Sequence, residues 1–378
     1  MRIVVTGGGS GGHVYPIFSV LEALVAQSDG ATTELDALYI GGKSGVERTL
    51  ASERGLPFKG VLGAPFRGGD PITFVIRAAR TLIGTLQALY GIRNFHPDAI
   101  LATGGYVSVP AVLAGWILGI PSVIYLPDVE PGWAVKFLSR FAHTVAVTTH
   151  QSRPFLRGAN VVETGYPVRS EFLHLDRAAA RRMLSLELSA TVLLVMGGSQ
   201  GSHSLNVAIG EALPQLLEIC DVIHICGSQD EAWLRERTSR LSAGLMERYH
   251  LYSYMHNDIA AAMAAADLAV SRAGASVLGE LPAVGLPAIL VPYPYAGGHQ
   301  ERNAAVLVND GAAVMVSEYN LETLLPTIRE VLQDHSARLS MAQRMRALAR
   351  PDAAARIAGL LSELARGEVP LVSGAAKS

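Results

Sequence analysis

One pattern occurs twice in this chain and restricts its folds more than any other feature. MRIVVTGGGSGGHVYP opens the sequence at Met1, and TVLLVMGGSQGSHSLN begins at Thr191, about half the chain later. Each copy reads as a strand, a Gly/Ser loop with a histidine, and the start of a helix. Around both, apolar strand-like runs alternate with helical stretches: IVVT, LEALVA and ALYI in the first half, TVLLVM, VIHIC, LAVS and AILVP in the second. The alternation predicts an α/β protein with parallel, doubly wound sheets, and the repeat predicts two Rossmann-like halves. A length of 378 residues agrees, because single cores tend to split beyond roughly 250 to 300 residues. Turn residues in TGYPVRSEF, Thr164–Phe172, mark the junction. The expected domains are therefore 1–166 and 167–350, with a C-terminal helix and tail over 351–378. Helical stretches from Leu321 to Leu364 read as a C-terminal bundle.

Composition excludes several classes. Lys plus Arg total 31 against 33 Asp plus Glu, a formal charge of -2, so no global basic field marks a nucleic-acid binder. Cys220 and Cys226, the only cysteines, alternate with His224 along one face of CDVIHIC. That spacing favours small buried side chains over a metal site, and so few thiols do not make a disulfide scaffold. The chain runs from Met1 straight into a strand, so no export signal is expected. Val109 to Pro127 is charge-free and about long enough to cross a bilayer. Pro110, Gly115, Gly119 and Pro121 instead divide it into a short helix, AVLAGWILG, and a buried strand, SVIYL. Ile72 to Phe95 mixes a broad apolar face with Arg77, Arg80 and Arg93. It suits either a core helix with a basic outer face or one resting among lipid headgroups.

The glycine-rich turns carry the chemistry. A small-residue turn between strand and helix lets backbone amides approach an anion, and the helix start adds free N–H groups and a favourable dipole. Gly7, Gly8, Gly9, Ser10, Gly11 and Gly12 fit that description, and Gly7, Gly9 and Gly12 satisfy a G-x-G-x-x-G spacing. A dinucleotide site would add an acidic residue after the second strand, where ALYIGG has none. His13, on the first turn beside the loop, suits acid–base work better than packing. ATGGYVSVP, with Thr103 to Ser108, and MGGSQGS, with Gly197 to Ser202, are two further such turns. Three of them imply two phosphate-bearing ligands. Downstream, DLAVS leads to Arg272 and the turn AGAS, a helix start suited to phosphate, with Glu280 on that helix able to accept from a ribose diol. PYPYAGGHQERN places His299, Gln300 and Asn303 at a strand's C-terminal end, where open α/β sheets hold ligands.

GGGSGGHVYPIFSVLEAL, ATGGYVSVPAVLAGWILGIP, TGYPVRSEF, VMGGSQGSHSLN and SRAGASVLGELPAVGLPAILVPYPYAGGHQERNA together resemble the successive motifs of the MurG family, in order, to about residue 320. The resemblance implies an α/β GT-B fold of two facing Rossmann-like, doubly wound parallel-sheet domains. It implies an inverting, metal-independent hexosyltransferase needing no cofactor, which moves N-acetylglucosamine from UDP to undecaprenyl-diphospho-MurNAc-pentapeptide in peptidoglycan synthesis. Such an enzyme works at the cytoplasmic side of the cell membrane, as a peripheral protein on anionic lipid. Carried over by motif, Ser10, Gly11, Gly12, His13 and Tyr106 face the acceptor diphosphate, with Arg67 on an acceptor-side loop and Arg169 near the junction. Ser199, Gln200 and the backbone near His256 contact the uridine diphosphate. Arg272 and its turn hold donor phosphate, Glu280 the ribose, and His299, Gln300 and Asn303 the sugar. His13 is the first candidate for the base, and Asp128 the next.

One segment departs from the family. Where it usually has His-Glu-Gln-Asn, this chain has Tyr125, Leu126, Pro127 and Asp128, while Pro131, Gly132 and Lys136 still fit. That leaves open a different acceptor or sugar, or a base role moved to Asp128 or Glu130. Two alternatives follow: a GT-B transferase with another lipid or small-molecule acceptor, and a UDP-sugar 2-epimerase.

Overall fold

The computed structural model describes residues 1–9, 11–27, 35–65, 70–198, 200–256, 258–295 and 297–368. The chain forms two compact units, one of Met1–Arg169 with Pro351–Ser378, the other of Ser170–Arg350.

The first unit holds β1 (Arg2–Thr6), β2 (Asp36–Gly42), β3 (Phe58–Val61), β4 (Ala99–Ala102), β5 (Ser122–Leu126), β6 (Thr144–Val147) and β7 (Val161–Glu163). They form one parallel sheet in the order β3-β2-β1-β4-β5-β6-β7. Its central strands are covered on both faces, which is why Ile3, Val4, Val5, Ile100 and Leu101 form continuous apolar runs rather than alternating ones. The charge-free run after Val109 divides as expected, into the helix Ser108–Ile117 and the fully buried β5.

The second unit repeats the scheme with β8 (Val192–Met196), β9 (Asp221–Ile225), β10 (Tyr249–Tyr252), β11 (Leu268–Ser271), β12 (Ala288–Leu290) and β13 (Ala313–Met315). Their order is β10-β9-β8-β11-β12-β13, again all parallel. The two sequence repeats thus occupy the same place, the strand beside which each sheet reverses its winding: between β1 and β4, and between β8 and β11. Cys220 and Cys226 flank β9 in the core. Burial pushes their thiols up to about 12 and about 11, and each thiol donates to a backbone carbonyl.

The expected bundle over Leu321–Leu364 is not one body. Helices Leu324–Gln333 and His335–Ala347 stay with the second unit, whereas Ala353–Ala365 packs on the helix Gly11–Gln27 and on β4 and β5 of the first. Its apolar stripe, Ile357, Leu360, Leu361 and Leu364, is buried there, and Gln27 donates to Ala355 O at 3.1 Å.

The helix Pro71–Phe95 begins with Asp70 accepting from Thr73 N–H at 2.8 Å and with Pro71 at its first position. Its buried face is made of small residues, Thr81, Gly84, Thr85, Ala88 and Gly91 with Ile92, while Ile72, Phe74, Val75, Ile76, Leu82 and Leu86 are exposed. Gly84 permits the close approach, since a Cβ there would lie 1.7 Å from Leu62 O. Among the described residues this helix alone is long and apolar enough to cross a membrane by length and composition.

Candidate active site

Open parallel sheets create a ligand crevice where the strand order reverses, because the loops leaving neighbouring strands turn to opposite faces there. In the first unit those loops follow β1 and β4, and they are the first two glycine turns of the sequence. They interlock. A Cβ on Gly7 would fall 1.9 Å from Thr103 Oγ1, and one on Gly105, whose φ is +79°, would fall 2.5 Å from Gly8 O. Only glycine fits at either contact.

His13 stands at the start of the helix Gly11–Gln27, and its Nδ1 lies 2.8 Å from Thr103 O. A carbonyl only accepts, so Nδ1 carries the hydrogen, and in the neutral ring the lone pair is then on Nε2. Thr103 Oγ1 donates back to His13 O, so ring and backbone are fixed by one partner. Such a support sets the tautomer, which is what general-base chemistry requires of a histidine. Tyr39 O–H steadies the loop from below by donating to Gly7 O at 2.7 Å. Around the same helix start, Tyr166 O–H reaches Gly12 O at 3.5 Å and the Arg169 guanidinium lies 4.9 Å from the Tyr15 ring centre. The structure therefore gathers Gly11, Gly12, His13 and Arg169 about one helix start, with half-exposed Tyr106 on the β4 loop that locks His13. Ser10 and Arg67 lie outside the described residues.

The departing segment is resolved by burial. Tyr125 and Leu126 belong to β5 and are core residues, with Tyr125 Oη 2.7 Å from Thr148 Oγ1 and its ring edge-on to Tyr166. Burial holds the Tyr125 phenol well above its usual range, so it stays neutral. Asp128 and Glu130 follow the strand's C-terminal end, half-buried.

In the second unit the loops after β8, β11 and β12 are laced by three side chains. Arg272, just past β11, is buried. Its Nε donates to Ser202 Oγ at 3.0 Å, Nη1 to Val291 O at 3.0 Å and to Glu318, and Nη2 to Ser202 Oγ, Ser204 Oγ and Glu318 Oε1. Every guanidinium nitrogen is committed within the protein. Arg272 thus ties the start of the helix His203–Leu217 to β12 and to the turn after β13. Gln300 Oε1 accepts from Tyr293 N–H at 2.8 Å and Ala273 N–H at 3.3 Å, and Asn303, fully buried, donates to Ala273 O at 3.1 Å. These two hold the turn after Arg272 rather than project from it. Gln200 is exposed on the β8 loop and Glu280 is half-buried in the first turn of Val277–Val284. His299 begins the helix His299–Asn309, and His256, exposed, packs edge-on against Tyr254 past the end of β10. Ser199 lies outside the described residues.

Glu318 is the partner that sequence reasoning missed. Burial alone would raise its carboxyl, but hydrogen bonds from Arg272 and Ser204, with the charge of Arg272, outweigh that and hold it below the usual range. Its only local signal is a carboxylate just past a strand's C-terminal end.

Two family models match the chain: the glycosyltransferase family 28 N-terminal domain over residues 3–147 and the glycosyltransferase family 28 C-terminal domain over residues 192–357. The UDP-N-acetylglucosamine–N-acetylmuramyl-(pentapeptide) pyrophosphoryl-undecaprenol N-acetylglucosamine transferase of Roseiflexus sp. (strain RS-1) is 42% identical, over 96% of this chain and 95% of that protein. Its namesake from Desulforudis audaxviator (strain MP104C) is 37% identical over 97% and 99%. Of solved structures, Acinetobacter baumannii MurG matches with a TM-score of 0.74 at 26% identity, over 96% of this chain and 99% of that one. A UDP-GlcNAc 2-epimerase from Neisseria meningitidis matches with a TM-score of 0.66 over 96% and 100%, but at 13% identity it shares the fold alone.

Proposed function

The chain belongs to glycosyltransferase family 28 and within it to the MurG transferases, and from that premise we propose that it moves N-acetylglucosamine from UDP-N-acetylglucosamine onto undecaprenyl-diphospho-MurNAc-pentapeptide. It is a hexosyltransferase of GT-B fold. The reading is carried by His13, whose Nε2 lone pair is fixed by Thr103 at the switch point of the first sheet. His13 Nε2 takes the proton of the acceptor hydroxyl as that oxygen bonds to the anomeric carbon. The bond from that carbon to the donor phosphate breaks on the opposite face, and its electron pair leaves on UDP. The first unit takes the acceptor diphosphate at Ser10, Gly11, Gly12 and Tyr106, with Arg169 beside them. The second takes the donor at Ser199, Gln200 and His256, with Glu280 on the ribose and His299 toward the sugar. Backbone amides of the β8 loop and of the turn after Arg272 receive the departing charge without reorganising. Arg272 and Asn303 serve by holding those amides in place.

The test is UDP release by the purified protein from UDP-N-acetylglucosamine, with and without an undecaprenyl-diphospho-MurNAc-pentapeptide analogue. Release should require the acceptor. Acceptor-independent formation of the 2-epimer would show the isomerase reading to be right instead.

Peripheral membrane association is part of the same proposal. The helix Pro71–Phe95 turns large apolar side chains outward and small ones inward, which suits hydrocarbon better than water. On the helix packed against it, Trp116 and Ile117 are also exposed. Arg80 and Arg93, exposed on the first helix, suit anionic headgroups. The protein should float with vesicles containing anionic lipid, and each Arg→Gln change at 80 or 93 should weaken binding about fivefold. Flotation indifferent to lipid charge and to both arginines would refute it.

A further inference from the structure

A chain of buried polar side chains runs through the second unit and reaches the surface at a residue the motifs left unassigned. Asn206 Nδ2 lies 2.7 Å from both Cys226 O and Asp230 Oδ2, so its two hydrogens are given to those oxygens. Asn206 Oδ1 is then an acceptor, and His224 Nε2, 3.0 Å away, must donate to it. His224 Nδ1 in turn accepts from Tyr249 O–H at 2.8 Å. Burial pushes the His224 imidazole down to about 4, so this ring is a fixed neutral strut.

The strut holds Asp230. That residue sits at the position before the helix Glu231–Thr238, yet its side chain does not cap that helix. One carboxylate oxygen is held by Asn206, and the other lies 2.8 Å from Nδ1 of His203. An ionised carboxylate only accepts, so Nδ1 of His203 carries a hydrogen and Nε2 lies on the opposite edge of a ring that is 76% exposed. His203 is the first residue of the helix His203–Leu217, directly after the loop Gly197–Ser202. At the same helix start the charge of Arg272 is matched by Glu318.

We propose that His203, oriented by Asp230, is a ligand of the donor diphosphate. As imidazolium it gives Nε2–H to an oxygen of the phosphate that bears the sugar. It keeps that hydrogen bond as the sugar–oxygen bond breaks and the electron pair passes to the phosphate, so the proton stays on the ring and no other reactant is needed. This deepens the donor reading above and rests on it. It also accounts for a buried polar chain that stability alone does not require, since a carboxylate fixed from behind aims the ring outward.

The test is calorimetric binding of uridine, UMP and UDP to the full-length protein. His203→Ala should weaken UDP at least tenfold, the loss of one charge-assisted hydrogen bond, while uridine stays within twofold. His203→Arg, which restores a cationic donor, should recover most of the loss. Equal weakening of uridine and UDP would make His203 a structural residue and overturn the proposal, as would an unchanged UDP affinity. A wild-type protein that binds uridine and UDP equally weakly would sink the donor reading itself.

Discussion

Replacing His13 by alanine should lower kcat by about 10²- to 10⁴-fold while leaving the KM for UDP-N-acetylglucosamine nearly unchanged. The split follows from where the residue stands. His13 belongs to the first unit, on the glycine loop proposed for the acceptor, whereas the residues proposed for the donor lie in the second. Removal of a proton acceptor acts in the transition state, and donor affinity in the ground state does not register it. Free imidazole should restore part of the rate, because alanine leaves room for a ring beside Thr103. Steady-state rates with both substrates saturating decide it. Near-normal turnover would move the base role to Asp128, half-buried past β5.

The second large effect is on stability. Glu318→Ala should destabilise the protein by about 3–5 kcal/mol, because it leaves the buried Arg272 guanidinium without its counter-charge. Denaturant unfolding of the full chain measures it. The pair also predicts an acid limb. The Glu318 carboxyl is held below the ordinary value of a glutamate, so in the folded protein it binds its proton less readily than in the unfolded chain. Its stabilisation is complete above that value and is lost as pH falls through the lowered one. Glu318→Gln should flatten this part of the acid limb. A double change, Arg272→Met with Glu318→Leu, should regain much of the stability, since apolar pairs replace buried ion pairs at little cost. Turnover should not return, because the start of the helix His203–Leu217 would then have lost its tie to β12. Recovery of both would mean that the pair serves only to hold the fold.

What the residues reveal in advance, and what they conceal, divides along local and long-range lines. Glycine turns are legible because they encode backbone geometry: the interlock of Gly7 with Thr103 requires glycine, and glycine is what the motif shows. The repeat revealed two Rossmann-like halves, and in the structure each copy stands where its sheet reverses its winding. Pairings between distant residues are another matter. Thr103 and His13 stand 90 positions apart and Arg272 and Glu318 stand 46 apart, and only the folded topology brings them into contact. Arg272 read as a phosphate ligand because an arginine beside a small-residue turn has that use, and its commitment to Glu318 has no local trace. Tyr125 was ambiguous for a related reason. A tyrosine at a strand end suits a site or a core, and here the hydroxyl turns to Thr148.

The return of Ala353–Ala365 to the first unit bears on how the molecule is made. A ribosome completes every strand of that unit by residue 163, yet the helix that seals it against Gly11–Gln27 is synthesised some 190 residues later. The second unit is contiguous and can condense during that interval, whereas the first cannot complete its packing until that helix is made. A deletion near residue 360 should therefore injure the half that begins at Met1.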